Sequence, residues 1–176
     1  MDGPESGDRR VLQIAWLVPD LARAADAWAR TTGIGPFLHA PHVVVDDLVH
    51  RGQSASIDFS VAIAQAGGVQ IELVQQHCDR PSAYRDLLGN AQSGLHHIGI
   101  YSDTYETALA RYVDQGHAIA VRGRLGNGRF TYIDTSAAIG CMIELIERDA
   151  GYDAFFGEVA ARAKNWDGSG PALVEL

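Results

Sequence analysis

Two short stretches of this chain echo one another closely enough to dictate how it can fold. Leu95-His96-His97-Ile98-Gly99-Ile100 sets two histidines at the head of an apolar run that reads as a strand, and Gln13-Ile14-Ala15-Trp16-Leu17-Val18 opens the first half in a similar way. Each is followed by a helix-like stretch ended by glycine, then by strands. Each series closes on nearly the same tetrapeptide, Ile71-Glu72-Leu73-Val74 and Ile143-Glu144-Leu145-Ile146. From Gln13 to Gly33 is 20 positions and from His97 to Gly116 is 19. The closing glutamates fall 59 and 47 positions after Gln13 and His97, and the surplus of 12 fits a longer hairpin region in the first half. A short internal repeat of this kind marks a duplicated unit that shares one core.

The local patterns give the elements. Val11 to Val18 is β-rich and stops at Pro19-Asp20, where Asp20 is placed to cap a helix from Leu21 to about Thr32. Leu21, Ala24, Ala25 and Trp28 form one apolar face of that helix, and Gly33 supplies a left-handed stop. Pro36–Val45 and Leu48–Gln53 read as extended around an Asp46-Asp47 turn. Ser56–Gln65 alternates as a strand with Ile57, Phe59, Val61 and Ile63 on one face, and Gly67-Gly68 turns into a strand over Val69–Gln75. The second half predicts a strand over Leu95–Ser102, then a helix capped by Asp103 or Thr104 and running to about Gln115. Strands follow over His117–Arg122, Phe130–Asp134 and Ile139–Ile146. The glycine-rich Gly123–Gly128 reads as a hairpin turn; its Gly126-Asn127-Gly128 is no phosphate loop, since no Lys-Ser/Thr follows and no helix opens there. A C-terminal helix over Tyr152–Lys164 presents Phe155, Phe156, Val159 and Ala160. The expected division is a frayed tail 1–10, a first module 11–78, a polar linker 79–94 with a short helix over Ser82–Leu88, a second module 95–147, and a C-terminal helix and tail 148–176.

Alternation places the chemistry. Glu72 faces opposite to Ile71 and Leu73, and Glu144 opposite to Ile143 and Leu145. If the aliphatic residues pack under the helices, both carboxylates point from the other face, and a pseudo-twofold between the halves brings Gln13, Glu72, His97 and Glu144 together. A carboxylate held in an apolar strand is costly unless paired, protonated or metal-bound. One imidazole, two carboxylates and an amide oxygen suit a divalent first-row metal in roughly octahedral geometry. A formal charge of −8 argues against nucleic acid or an anionic membrane as partner. No apolar run reaches the length of a bilayer span, the N-terminus lacks a signal peptide's core, and Cys78 and Cys141 have no CxxC spacing. A cytoplasmic protein with free thiols is expected.

These residues resemble the vicinal oxygen chelate superfamily, in particular its glyoxalase-like and methylmalonyl-CoA epimerase-like branch. Gln13-Ile14-Ala15-Trp16-Leu17-Val18-Pro19-Asp20-Leu21 is similar to a first strand that usually reads His-Ile-(Gly/Ala)-x-x-Val-x-Asp-Leu. His97-Ile98-Gly99-Ile100 and Gly140-Cys141-Met142-Ile143-Glu144-Leu145 match later motifs, and the likeness spans about residues 11–147. The resemblance implies an α+β fold of two βαβββ modules around one metal-centred cleft, with a homodimer as the common assembly. It places Gln13, Glu72, His97 and Glu144 on the four ligand positions and implies one divalent ion, Zn, Ni, Co or Mn. Gln13 stands where epimerases usually have His; with Glu72 the set is closer to some glyoxalase I enzymes, and it disfavours the extradiol dioxygenases.

The implied enzyme is an isomerase, epimerase or lyase that moves a proton next to a carbonyl through a metal-stabilised enediolate. Glu144 first and Glu72 second would be the catalytic carboxylates, and the substrate a small molecule such as a thioester or thiol adduct. The alternative is a non-catalytic sequestering protein of the bleomycin-resistance type; an oxygen-using iron enzyme is a third reading. Elsewhere, His96 is expected on the face opposite His97, in a structural role or as a support behind the ligand residues. His39, His42, His50 and Arg51 either line a pocket mouth and meet an anionic substrate tail or sit on an exposed hairpin, and Tyr132 and Arg129 carry the same ambiguity. Trp16, Trp28, Phe155 and Phe156 read as core.

Overall fold

The computed structural model describes residues 10–89 and 93–176; the expected tail, apart from Arg10, and residues 90–92 of the linker lie outside them. The chain opens with β1 (Val11–Leu17) and α1 (Leu21–Thr32). Asp20 caps α1 by accepting from the Arg23 N–H at 3.0 Å, and Gly33 ends it at φ 75°. Then come β2 (Phe37–Ala40), β3 (Asp46–His50), β4 (Gln53–Ser54), β5 (Phe59–Ala66), β6 (Val69–Gln76) and α2 (Ala83–Leu88). The second half supplies β7 (Gly94–Ser102), α3 (Tyr105–Asp114), β8 (Ala118–Leu125), β9 (Gly128–Asp134), α4 (Ser136–Ile139) and β10 (Met142–Glu147). The chain closes with α5 (Ala150–Asn165) and β11 (Leu173–Glu175).

All eleven strands form one sheet in the order β11-β2-β5-β6-β1-β7-β10-β9-β8-β3-β4. Its middle is the repeat. β1 runs parallel to β6 and β7 parallel to β10, and the two halves join where β1 pairs antiparallel with β7. An antiparallel seam between two equivalent strands is a local twofold, so residues at matching places in the two modules meet across it.

The aliphatic alternation decides which face each helix covers. Ile71 and Leu73 of β6 pack with Leu21 and Ala25 of α1, and Trp28 of that helix lies 5.1 Å from Trp16. Ile143 and Leu145 of β10 pack with Tyr105, Ala108 and Leu109 of α3 in the same way. The opposite face carries a core drawn from both halves, with Leu17, Phe59 and Val74 against Val121, Phe130, Tyr132 and Met142. Glu72 and Glu144 therefore emerge on the face the two modules share.

Several local expectations give way to non-local pairing. Asp46 and Asp47 begin β3 instead of forming a turn; β3 pairs with β8 of the other module, and Asp47 at φ 52° falls at a register break on that edge. Ile139 leaves the last strand for α4, because Asp134 Oδ1 accepts from the N–H and Oγ of Ser136 and starts a turn there. β8 and β9 run further than expected and shorten the hairpin turn to Gly126-Asn127. The tail is not structureless: β11 adds to β2 in parallel. On α5, Val159 is fully buried with Leu38 and Ile63, whereas Ala160 is exposed. Both cysteines are free, and no described helix is long and apolar enough to cross a membrane.

Leu73 and Leu145, both with no exposed surface, are twofold-related anchors of the two helices. Truncating either to alanine removes three buried carbons and is expected to cost about 2–5 kcal/mol in urea unfolding. A loss below about 1 kcal/mol at both would contradict this packing.

Candidate metal centre and cavity

The site grows out of the β1–β7 seam. Ala15 of β1 lies opposite both Glu72 of β6 and His97 of β7, so an alanine separates these two side chains. Gly99 of β7 lies opposite both Gln13 of β1 and Glu144 of β10. The twofold exchanges Gln13 with His97, Ala15 with Gly99 and Glu72 with Glu144. Small residues at the two central positions leave room for the four larger ones to lean inward. At Gly99 this is tight: a Cβ there would stand 3.0 Å from Gln13 Cβ and 3.3 Å from its Oε1.

Glu72, His97 and Glu144 converge, with one ligand-capable atom of each within 4.8 Å of the others. His97 Nε2 is 3.1 Å from Glu72 Oε2 and 3.2 Å from Glu144 Oε2. Yet His97 Nε2 and Glu72 Oε2, both buried, have no hydrogen-bond partner, so these approaches are not aligned N–H···O bonds. Two donor atoms each about 2.1 Å from a shared ion, at right angles, stand about 3.0 Å apart. The spacing, the hard donor set and the orphaned lone pairs all fit a divalent cation. Gln13, also buried, lines the same cavity as the two glutamates.

His96 departs from expectation. β1 and β7 slip register between Ala15↔His97 and Trp16↔Leu95, which makes His96 the extra residue of a bulge. The bulge breaks strict alternation, and the two imidazoles meet at Nδ1–Nδ1 2.9 Å. Burial, reinforced by His97, pushes the His96 pKa down to about 3, so His96 is neutral. A neutral His96 accepting at Nδ1 keeps its own proton on Nε2 and takes the Nδ1–H of His97. That pairing aims His97 Nε2 at the carboxylates, the role a neighbouring acceptor plays for metal-binding histidines.

The electrostatics follow from burial. At His97, burial opposes the charged ring, but Glu144 and Glu72 outweigh it and raise its pKa to about 9. Burial, with repulsion from Glu144, raises Glu72 above the usual carboxylate range despite the pull of His97. Tyr132 of β9, paired with Glu144, and Tyr84 of α2 bring their hydroxyls to 3.4 Å. Burial, then the nearby glutamates, raises both phenols, which therefore stay protonated.

These groups open into a cavity of about 540 Å³. It draws walls from both modules, from the β3–β4 excursion and from α5. Phe155 and Phe156, expected in the core, are half-buried and line it. Of the first-half cluster only His50 reaches it, while His39 and His42 pair outside with Glu175 and Asp58. Arg129 instead binds Glu147 and lies over the Tyr105 ring. Tyr84 was missed by sequence reasoning, since nothing in a polar linker distinguishes a tyrosine that turns inward.

A doubled strand–helix–strands unit around a buried His/Glu centre defines the class, and direct comparison names the family. Residues 12–132 match the Glyoxalase/Bleomycin resistance protein/Dioxygenase superfamily, and the chain belongs to it. No curated protein sequence matches the chain. Among solved structures, methylmalonyl-CoA epimerase from Mycobacterium tuberculosis is similar at TM-score 0.58 and 19% identity, over 87% of this chain and 97% of that one. A methylmalonyl-CoA epimerase in complex with methylmalonyl-CoA and NH4+ gives 0.55 and 19%, over 80% and 95%. A Streptomyces coelicolor methylmalonyl-CoA epimerase variant with 2-nitronate-propionyl-CoA gives 0.55 and 18%, over 80% and 95%. At these identities the likeness is one of fold.

A histidine whose pKa is raised on folding stabilises the protein below its unfolded value, and that contribution is lost as pH climbs through the folded value. With His97 at about 9, the metal-free protein is expected to lose thermal stability between about pH 6.5 and 9. His97→Gln should flatten that slope; an unchanged slope in the variant would contradict the assignment.

Proposed function

We propose that the chain is a metal-dependent enzyme that moves a proton on carbon next to a carbonyl, as an epimerase, isomerase or glyoxalase-type lyase. The observation that carries this reading is the buried Glu72–His97–Glu144 cluster with unbonded donor atoms, facing a largely apolar cavity. Glu72, His97 and Glu144 would hold the ion, with Gln13 as the fourth side chain. A divalent cation bound there supplies a Lewis acid that draws negative charge onto substrate oxygens as the proton leaves.

The remaining steps belong to the chain. Glu72 of β6, one strand removed, and Glu144 of the adjoining β10 approach His97 from its two sides, which suits one carboxylate to take a proton and the other to return it. Glu144, paired with Tyr132 on the cavity wall, is the group that removes it. Glu72, on the other side of His97, gives one back. The Tyr84 and Tyr132 hydroxyls stay protonated and stand as donors beside the carboxylates. α5 and the β3–β4 excursion supply apolar walls beside the place where the proton exchanges. The complex of a structural neighbour with methylmalonyl-CoA supports acyl thioesters among the substrates to test first.

A protein that merely sequesters a small molecule would also have an apolar cavity. It would gain nothing from two buried carboxylates and an imidazole, whose desolvation is costly, and this weighs against that reading.

Solvent-deuterium exchange at the α-carbon of acyl thioesters, α-hydroxy ketones and hemithioacetals, followed by NMR with metal-loaded protein, tests the proposal. Glu144→Gln is expected to slow exchange by more than about 100-fold with the circular dichroism spectrum unchanged. Near-normal exchange in that variant would overturn the mechanism.

A further inference from the structure

The walls of the cavity above Glu72 and Glu144 narrow the substrate. Its volume, about 540 Å³, lies within the range that encloses a drug-sized molecule. Phe59 and Val61 face it from the first module, Val121 and Phe130 from the second, and Phe155 and Phe156 from α5. Among the described residues that line it there is no lysine or arginine; the charged or basic side chains are Glu72, Glu144, Asp149 and His50.

The basic side chains at and beside its walls already have partners. His50 Nε2 bonds to Asp86 at 2.9 Å. Its neighbour Arg51 bonds to Asp86 and to Asp134, each at 2.7 Å. Arg80, beside the lining Pro81, donates to Ser56 Oγ. The N-terminus of α5 opens on the cavity, but Asp149 already accepts from the N–H of Gly151 at 2.7 Å and of Tyr152 at 3.3 Å. Away from that centre, an anionic substituent inside would face carboxylates with no lysine or arginine among the described lining residues to offset them.

We infer that the part of the substrate enclosed by this cavity is uncharged and apolar, apart from the oxygens that meet the Glu72–His97–Glu144 centre. The class is an acyl or ketone body bearing an alkyl, alicyclic or aryl group, without carboxylate, phosphate or sulfonate on the enclosed portion. The inference rests on the reading of this cavity as the place of proton transfer, and it sets aside dicarboxylic acyl groups and peptide-thiol adducts that must enter with their charges.

Two fluorescent probes with the same ring system test it. N-phenyl-1-naphthylamine is neutral, and 8-anilinonaphthalene-1-sulfonate adds one sulfonate. Both are titrated against protein stripped with EDTA and against the same protein loaded with zinc. The neutral probe is expected to bind one per chain and at least tenfold more tightly than the sulfonate in both states. Val43→Lys, or Leu125→Lys if the first does not fold, puts a cation on the half-buried wall and is expected to cut that ratio at least tenfold. Equal or tighter sulfonate binding to the wild type, or a ratio unmoved in both lysine variants, would overturn the inference. Zinc uptake is read in the same samples. A neutral-probe preference without zinc uptake sustains the substrate class and sinks the metal reading; zinc uptake with a sulfonate preference does the reverse.

Discussion

Two carboxylates and an imidazole buried side by side are the constraint on which the rest of this structure depends. Glu72 and Glu144 each lie within hydrogen-bonding distance of His97 without forming aligned bonds. Such a cluster opposes folding, because desolvated charge is stabilised only by a partner of opposite sign or a shared ion. The fold holds it in place by surrounding it with regular structure. Each ligand-capable side chain sits in the interior of a strand, backed by aliphatic neighbours packed under α1 or α3. Ala15 and Gly99 keep the seam between them thin enough for the side chains to converge. A neutral His96 fixes the ring of His97 from behind.

The repeat builds the centre and part of the cavity wall, and the departures from the repeat complete that wall. β1, β6, β7 and β10 are paired by the local twofold and supply Gln13, Glu72, His97 and Glu144. The additions are asymmetric: β3 and β4 cross from the first module to the edge of β8, α2 turns Tyr84 inward, and α5 lays Phe155 and Phe156 over the opening. The residues of the proposed metal site thus come from the repeated strands, and the asymmetric additions supply other parts of the cavity wall.

Much of this was legible in the sequence because it is local. The cap at Asp20, the stop at Gly33 and the aliphatic alternation around Glu72 and Glu144 each depend on residues a few positions apart, and all stand in the structure as read. What escaped depends on a distant partner. The bulge that swings His96 toward His97 is a property of β7 against β1, invisible in Leu95–Ile100 taken alone. Asp46-Asp47 carries turn residues, but β8 offers a free edge that makes it strand. The apolar face of α5 was evident, yet periodicity cannot tell whether Phe155 and Phe156 cover a solid core or a cavity.

The central claim is that the buried cluster exists to hold a divalent cation. It is tested most directly by metal content, measured by plasma mass spectrometry on tag-free protein, wild type beside His97→Ala. One stoichiometric divalent ion in the wild type, absent from the variant, is the predicted result. No ion in the wild type, even after incubation with Zn, Ni, Co and Mn, or equal content in the folded variant, would contradict the account.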